Sequence, residues 1–271
     1  MKRLFVFGCS LTRYAYATWA DLASANFDEY YNYAKPGGSN SLIMSRLVEA
    51  NNQFSFNKDT DTVLIMMTGI GRYSYYLQDG GWITKGDMYS YVKNSKDEPM
   101  ESFLKNMHSD KGDVYNSWIS MKIIKDLLVT KNISHKILLG ISYNDYLVQN
   151  EYNDEESIRK IMDIQNMIDE NTPLNDWFGK KENHGDEPNT PYYTESNKPD
   201  GHPNQRMHYE FLKNFLPEYN TDKTKELYNY VESIFDGRNQ HKQELTYRNK
   251  FYRKYNLALT NPLFGQEQET W

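Results

Sequence analysis

The stretch Leu4-Phe5-Val6-Phe7-Gly8-Cys9-Ser10-Leu11-Thr12 decides the reading of the fold. Four consecutive apolar residues without alternation read as a strand buried on both faces, as in a parallel sheet. The run stops at a glycine and presents a serine where an α/β protein gathers its chemistry, at the carboxyl end of a strand. Beyond it, Leu11, Tyr14, Ala15, Trp19 and Leu22 have helical spacing and predict a helix over 11–25. Residues 30–33 read as a short strand. Lys35-Pro36-Gly37-Gly38-Ser39-Asn40 reads as a turn that opens a helix over 41–50. Asp61-Thr62-Val63-Leu64-Ile65-Met66-Met67 is the clearest central strand and ends at Thr68-Gly69-Ile70-Gly71-Arg72.

Residues 73–113 are rich in Tyr, Gly, Lys and Asp and have weak periodicity. They read as an insertion, a lid or a substrate wall. A helix over 118–129, a strand over 134–141 and a helix over 154–169 follow. A polar excursion over 171–199 then leads to a helix over 206–216. Strand and helix alternate with intervals long enough for crossovers. This predicts an α/β fold, a three-layer sandwich around a central, mostly parallel sheet of the flavodoxin-like kind. An α+β domain is the competing architecture. The expected core domain spans 1–218. A tail over 219–271 carries a helical stretch at 224–235 and a polar-aromatic segment from 240 suited to binding a partner.

Composition narrows the class of function. The chain has 31 basic and 37 acidic residues, a net charge of −6, and no concentrated basic patch, which argues against nucleic-acid binding. No apolar span approaches membrane length, and the four apolar residues after Lys2 and Arg3 are too few for a secretory signal. Synthesis in a reducing cytoplasm without a signal peptide is expected. Cys9 is the only cysteine, so neither an internal disulfide nor a multi-cysteine metal site can form. No metal or other cofactor is expected. Mean hydropathy is −0.84, but 23 tyrosines can bury their rings and leave their hydroxyls wet, so a core remains feasible.

A serine hydroxyl is a weak nucleophile and needs a base. Of six histidines, His202 lies in Asp200-Gly201-His202-Pro203, on a rigid loop just before a helix with a carboxylate beside it. It is the candidate base for Ser10. His208 is expected to support that loop, His135 to be structural, and His108, His184 and His241 to be solvated. Backbone N–H groups of Ser10 and Gly37 are candidate donors to a developing oxyanion.

Taken together, Phe7-Gly8-Cys9-Ser10-Leu11-Thr12, Asn32-Tyr33-Ala34-Lys35-Pro36-Gly37, Asp61 to Gly69 and Asp200-Gly201-His202-Pro203 resemble the four blocks of the GDSL-like, or SGNH, hydrolase superfamily. The resemblance implies Ser10 as nucleophile, Gly37 as oxyanion glycine and His202 as catalytic histidine. Two positions depart from the pattern. Gly71 stands where the third block carries an oxyanion asparagine, for which Asn40 or Arg72 are the candidate substitutes. Pro199 stands where the acid is usual, leaving Asp200, two residues before His202, to orient the imidazole. Thr68-Gly69, Arg72 and Gly80-Gly81-Trp82 look similar to a branch of the superfamily found in tailed bacteriophages, which implies association with a virion.

The leading expectation is a serine esterase that removes O-acetyl or other short acyl groups from a carbohydrate. Arg72, Tyr73, Tyr76 and Trp82 are the candidate substrate contacts. The competing expectation is a weakened or inactive hydrolase-fold adaptor of a phage particle, whose tail binds a phage structural protein. An acyltransferase using the same serine is a third.

Overall fold

A computed structural model of the protein describes residues 1–14, 16–76, 81–87, 98–143, 154–170, 173–174 and 202–234. Four parallel strands form the central sheet: β1 (Arg3–Phe7), β2 (Glu29–Asn32), β3 (Asp61–Met67) and β6 (Ser134–Leu139), in the order β2-β1-β3-β6. The chain steps from β1 outward to β2, then returns past β1 to β3. The order therefore reverses between β1 and β3, which makes the crevice beyond their carboxyl ends the expected ligand position. Arg3 and Asp61 are register partners across β1 and β3, and their side chains close a bidentate ion pair of 2.7 and 2.6 Å at the opposite edge. That pair pins the register.

Strand alternation divides the core into two layers. Leu4, Val6, Leu64, Met66 and Leu138 face one side, where α1 (Trp19–Ala23), α6 (Gln205–Phe215) and α7 (Asp222–Ile234) cover them. Phe5, Phe7, Val63, Ile65, Met67, Ile137 and Leu139 face the other. There α2 (Asn40–Phe54), α4 (Asp110–Thr130) and α5 (Glu155–Met167) pack. The protein is an α/β three-layer sandwich, as the strand sequences predict. Side-chain caps fix where these helices begin: Ser39 accepts from Leu42 N–H, Ser109 from Gly112 N–H, Asp154 from Ser157 N–H and Asn204 from Met207 N–H.

Two expectations need correction. The helix expected over 11–25 is a single turn after Ser10, an open loop, and then only Trp19–Ala23 followed by a 3₁₀ turn, Ser24–Asn26. Polar side chains reclaim the backbone there. Thr18 Oγ1 donates to Thr12 C=O at 2.7 Å, and Trp19 Nε1 donates to Leu11 C=O at 3.0 Å, so those carbonyls are taken out of any helical ladder. The second correction concerns 73–113. Its described residues include an antiparallel hairpin, β4 (Arg72–Tyr76) and β5 (Trp82–Asp87), a helix α3 (Glu98–Asn106), and the first turn of α4, which begins at Asp110 rather than 118. The expected excursion over 171–199 lies outside the described residues apart from 173–174, as does the tail beyond 234. Among the described residues, no helix is long and apolar enough to cross a membrane.

Candidate active site

The chain leaves β1 at Gly8 and makes one tight turn. Cys9 C=O accepts from Thr12 N–H at 3.0 Å and from Arg13 N–H at 3.1 Å, placing Ser10 in the turn at 6% exposure. Thr12 is locked in place, since its carbonyl also accepts from Asn32 Nδ2 at 3.2 Å. Asn32 in turn touches the Tyr30 hydroxyl, which donates to Asp21 at 2.9 Å. Gly8 is required by close approach: a Cβ there would lie 2.2 Å from Thr12 Oγ1 and 2.7 Å from Thr12 Cβ. Ser10 is thus presented by one rigid turn, and not by the long helix whose amino end the spacing of 11–25 suggested.

The second loop lies against the first. Lys35 N–H donates to Gly8 C=O at 3.1 Å, and Gly38 N–H donates to Lys35 C=O at 2.9 Å. Gly37 has φ +72°, the left-handed region that glycine occupies without strain. The β4–β5 hairpin clamps this loop from outside. Thr84 Oγ1 donates to Pro36 C=O at 2.7 Å, Gly86 N–H donates to Gly37 C=O at 3.1 Å, and Ser39 N–H donates to Ser74 Oγ at 3.0 Å. With the carbonyls of 36 and 37 held, the peptide planes around Gly37 have little freedom. The insertion is thereby tied to the candidate oxyanion glycine, a connection that composition did not reveal.

At the end of β3, Asn40 does structural work. Its Nδ2 donates to Thr68 C=O at 3.1 Å and lies 3.2 Å from both Ser117 Oγ and Tyr143 Oη, while its Oδ1 accepts from Thr68 N–H at 2.9 Å. Tyr143 also donates to Thr68 C=O at 2.8 Å. A donation from Asn40 to an oxyanion would have to displace one of these bonds. Gly71, at the position of the missing asparagine, is buried and offers only its backbone. Arg72 follows it, partly buried, with Nη1 out of contact with water and without a hydrogen-bond acceptor.

Two tyrosines of the segment after Ser10 touch the His202 loop. The Tyr14 ring stacks on the imidazole with centroids 4.0 Å apart and planes 20° apart. Tyr16 Oη donates to Pro203 C=O at 2.6 Å, tying the histidine loop to a residue six positions after Ser10. Among the described residues Ser10 Oγ makes no hydrogen bond. Contacts between nucleophile and base commonly tighten only when substrate is bound. Asp200 lies outside the described residues. The spacing of Tyr14 and Tyr16, two apart in a loop, is the strand-like signal that could have identified them.

His208, in the first turn of α6, is 1% exposed and stands 6.3 Å from the Tyr16 ring. Burial, and secondarily the neighbouring His202, push its pKa down to about 3. A base that weak would hold little of a serine proton at neutral pH, so His202 is the better fit. The same shift has a consequence for stability. Between pH 6.5 and about 3 the unfolded chain binds a proton that folded His208 refuses, so stability falls as pH falls through this window. The slope this contributes is about 1.4 kcal/mol per pH unit. Urea unfolding followed from pH 7 to pH 4.5 should show that loss, and His208→Asn should flatten the slope; equal slopes would contradict it.

The aromatic candidates divide. Tyr73 packs on Phe103 at 5.0 Å, and Phe103 lies 6.4 Å from His108, forming a small cluster beneath the hairpin. Tyr76 and Trp82 meet edge to face at 5.6 Å, with Tyr76 37% exposed. That pair lies four residues along β4 from Arg72, roughly 13 Å. His108 is not solvated as expected, since its Nε2 lies 2.7 Å from a buried Asp113 carboxylate oxygen. With Asp110 these residues place three possible metal-ligand atoms within 4.8 Å of one another. The His108–Asp113 contact already serves the amino end of α4, one turn from Ser117. His135 Nδ1 donates to Ile133 C=O at 2.7 Å, in keeping with a structural role.

No protein-family model matches the chain, and no curated protein matches it.

Proposed function

We propose that the protein is a serine esterase of the SGNH kind that removes O-acetyl or other short acyl groups from a carbohydrate. The observation that supports this reading is that the Ser10 turn, bonded at Gly8 to the left-handed Gly37 loop, leaves β1 at the carboxyl edge of the parallel sheet beside its switch point, while the segment that follows Ser10 touches the His202 loop through Tyr14 and Tyr16. Ser10 Oγ attacks the acyl carbon while His202 takes the hydroxyl proton. The backbone N–H groups of Ser10 and Gly37 hold the oxyanion. The leaving alcohol takes the proton back, and a water activated by His202 then releases the acid. Tyr76 and Trp82 offer a stacking surface for a sugar one or two units away from the scissile ester.

Release of acetate from O-acetylated oligosaccharides, together with 4-nitrophenyl acetate hydrolysis, tests the reading. Turnover that requires Ser10 supports it. Absence of any Ser10-dependent turnover removes it in favour of the second reading, a hydrolase-fold adaptor of a phage particle. The commitment of Asn40 to Thr68, Ser117 and Tyr143 favours that second reading, because one lost oxyanion donor costs about 10²–10³ in kcat.

The hairpin clamp provides a separate test. Thr84→Val removes the donor to Pro36 C=O and should lower kcat about five-fold with KM unchanged, the size expected for one hydrogen bond. Thr84→Ser should restore it. An unchanged kcat in Thr84→Val would show that Gly37 is positioned without the hairpin.

A further inference from the structure

An imidazole is held loosely by its own chain. Rotation of the ring about its bond to Cβ is a broad, roughly two-fold torsion, so the ring plane is set by what packs against it. For His202 that neighbour is Tyr14, whose ring lies against the imidazole with centroids 4.0 Å and planes 20° apart. Tilting the histidine would drive one of its edges into the tyrosine face. The stack uses the face of the imidazole and leaves hydrogen bonding to its edge, where both nitrogens lie. Tyr14 is itself held on both sides. Ser10 lies four residues before it, in the turn where Cys9 C=O accepts from Thr12 and Arg13 N–H. On the other side the Tyr16 ring meets it edge to face, with centroids 5.1 Å and planes 69° apart. Tyr16 is 2% exposed, and its hydroxyl is spent on Pro203 C=O. The segment that begins in the Ser10 turn thus grips the histidine loop at two points, the imidazole face and the backbone of the next residue.

We infer that Tyr14 is a positioning residue of the site: its ring sets the plane of the His202 imidazole relative to the turn that carries Ser10. The inference rests on the esterase reading. A general base must aim the lone pair of one nitrogen at the proton it takes, and a small misplacement of the ring is costly in rate. In a serine triad a carboxylate at the imidazole edge fixes both orientation and tautomer. Pro199 stands where that carboxylate is usual and offers no side-chain acceptor. Tyr14 supplies orientation from a different direction, the face of the ring, while the choice of tautomer stays with the edge. The tyrosine face is also electron-rich and attracts the positive charge that the imidazole carries once it has taken the serine proton. Tyr14 acts through His202 and touches no reacting atom, so its effect belongs in kcat.

Tyr14→Leu should lower kcat for 4-nitrophenyl acetate about ten-fold with KM unchanged, the upper end of what one aromatic pair supplies. Tyr14→Phe keeps the ring and should keep most of kcat. Thermal unfolding by circular dichroism confirms that both variants are folded. The NMR signal of the His202 Hε1 proton, identified by its loss in His202→Ala, reads the stack independently of turnover. Ring current from Tyr14 should hold that signal upfield in the wild type. Tyr14→Leu should move it downfield, and Tyr14→Phe should leave it in place. A folded Tyr14→Leu with wild-type kcat would overturn the positioning role and leave the esterase reading standing. Equal losses of kcat in Tyr14→Phe and Tyr14→Leu would also overturn it, because they would assign the effect to the hydroxyl. A His202 signal that Tyr14→Leu does not move would contradict the stack itself. Absence of Ser10-dependent turnover in the wild type would remove the esterase reading, and the positioning role with it, even where the signal reports the stack.

Discussion

Ser10→Ala is expected to lower ester turnover about 10⁴-fold or more, with His202→Ala close to it, because a nucleophile and its base act as one unit. Combining the two substitutions should cost little more than either alone. KM should change far less than kcat, since neither side chain is needed to hold the sugar. The His202 effect is the more diagnostic. His208 lies close to it in sequence and space but is buried with its pKa pushed down to about 3, so it cannot take over as base. His208→Asn should therefore change the acid stability described above and leave most of kcat. If His208→Asn proved as damaging to kcat as His202→Ala in a folded protein, the assignment of the base would be wrong. The expected Ser10 and His202 effects are read from initial rates of 4-nitrophenyl acetate hydrolysis corrected for the spontaneous reaction.

The second large effect is on stability. Gly8→Ala places a methyl group where Thr12 Oγ1 would be 2.2 Å away and Thr12 Cβ 2.7 Å away. Thr12 has no room to yield. It is wholly buried, and its carbonyl holds both Thr18 and Asn32. The cost should be about 3 kcal/mol, the upper part of the range for overpacking a core. In a domain of this size that lowers Tm by about 6–12 °C. Adding Thr12→Gly to Gly8→Ala removes the obstructing atoms, so the double variant should lose less than the sum of the two single changes. Strict additivity would place the strain elsewhere. The Ser10 turn is built on this contact, so Gly8→Ala should also depress turnover in the fraction that remains folded.

What could be read in the sequence follows from the physics of each segment. The runs at 4–7, 63–67 and 137–139 are apolar on both faces, and burial on both faces of a parallel sheet is the only cheap fate for them. The helix over 11–25 was misleading because the apolar spacing is real: Leu11, Trp19 and Leu22 are all buried in one layer. Periodicity did not register the side-chain donors of Thr18 and Trp19, which compete with a helical ladder for the carbonyls of 11 and 12. The β4–β5 hairpin was hidden for a related reason. It is polar and half-exposed, and what holds it is a set of hydrogen bonds to the Gly37 loop rather than a buried face.

The site divides in the same way. Ser10, Gly37 and His202 stood out because a strand end, a Pro-Gly-Gly turn and a Gly-His-Pro loop are local signals. The residues that hold their loops, Tyr14 and Tyr16 for the His202 loop and Ser74 and Thr84 for the Gly37 loop, are ordinary residues whose roles depend on contacts across many positions of chain. Asn40 shows the opposite case. A side chain named as a candidate substitute for the missing oxyanion asparagine is tied to the backbone of Thr68, on both its N–H and its C=O.

The most direct test of the central claim is covalent labelling with a fluorophosphonate, located by mass spectrometry of proteolytic peptides. One adduct is expected, on the peptide carrying Ser10, absent from Ser10→Ala and formed much more slowly in His202→Ala. No adduct on folded protein, or an adduct on another serine that persists in Ser10→Ala, would contradict it.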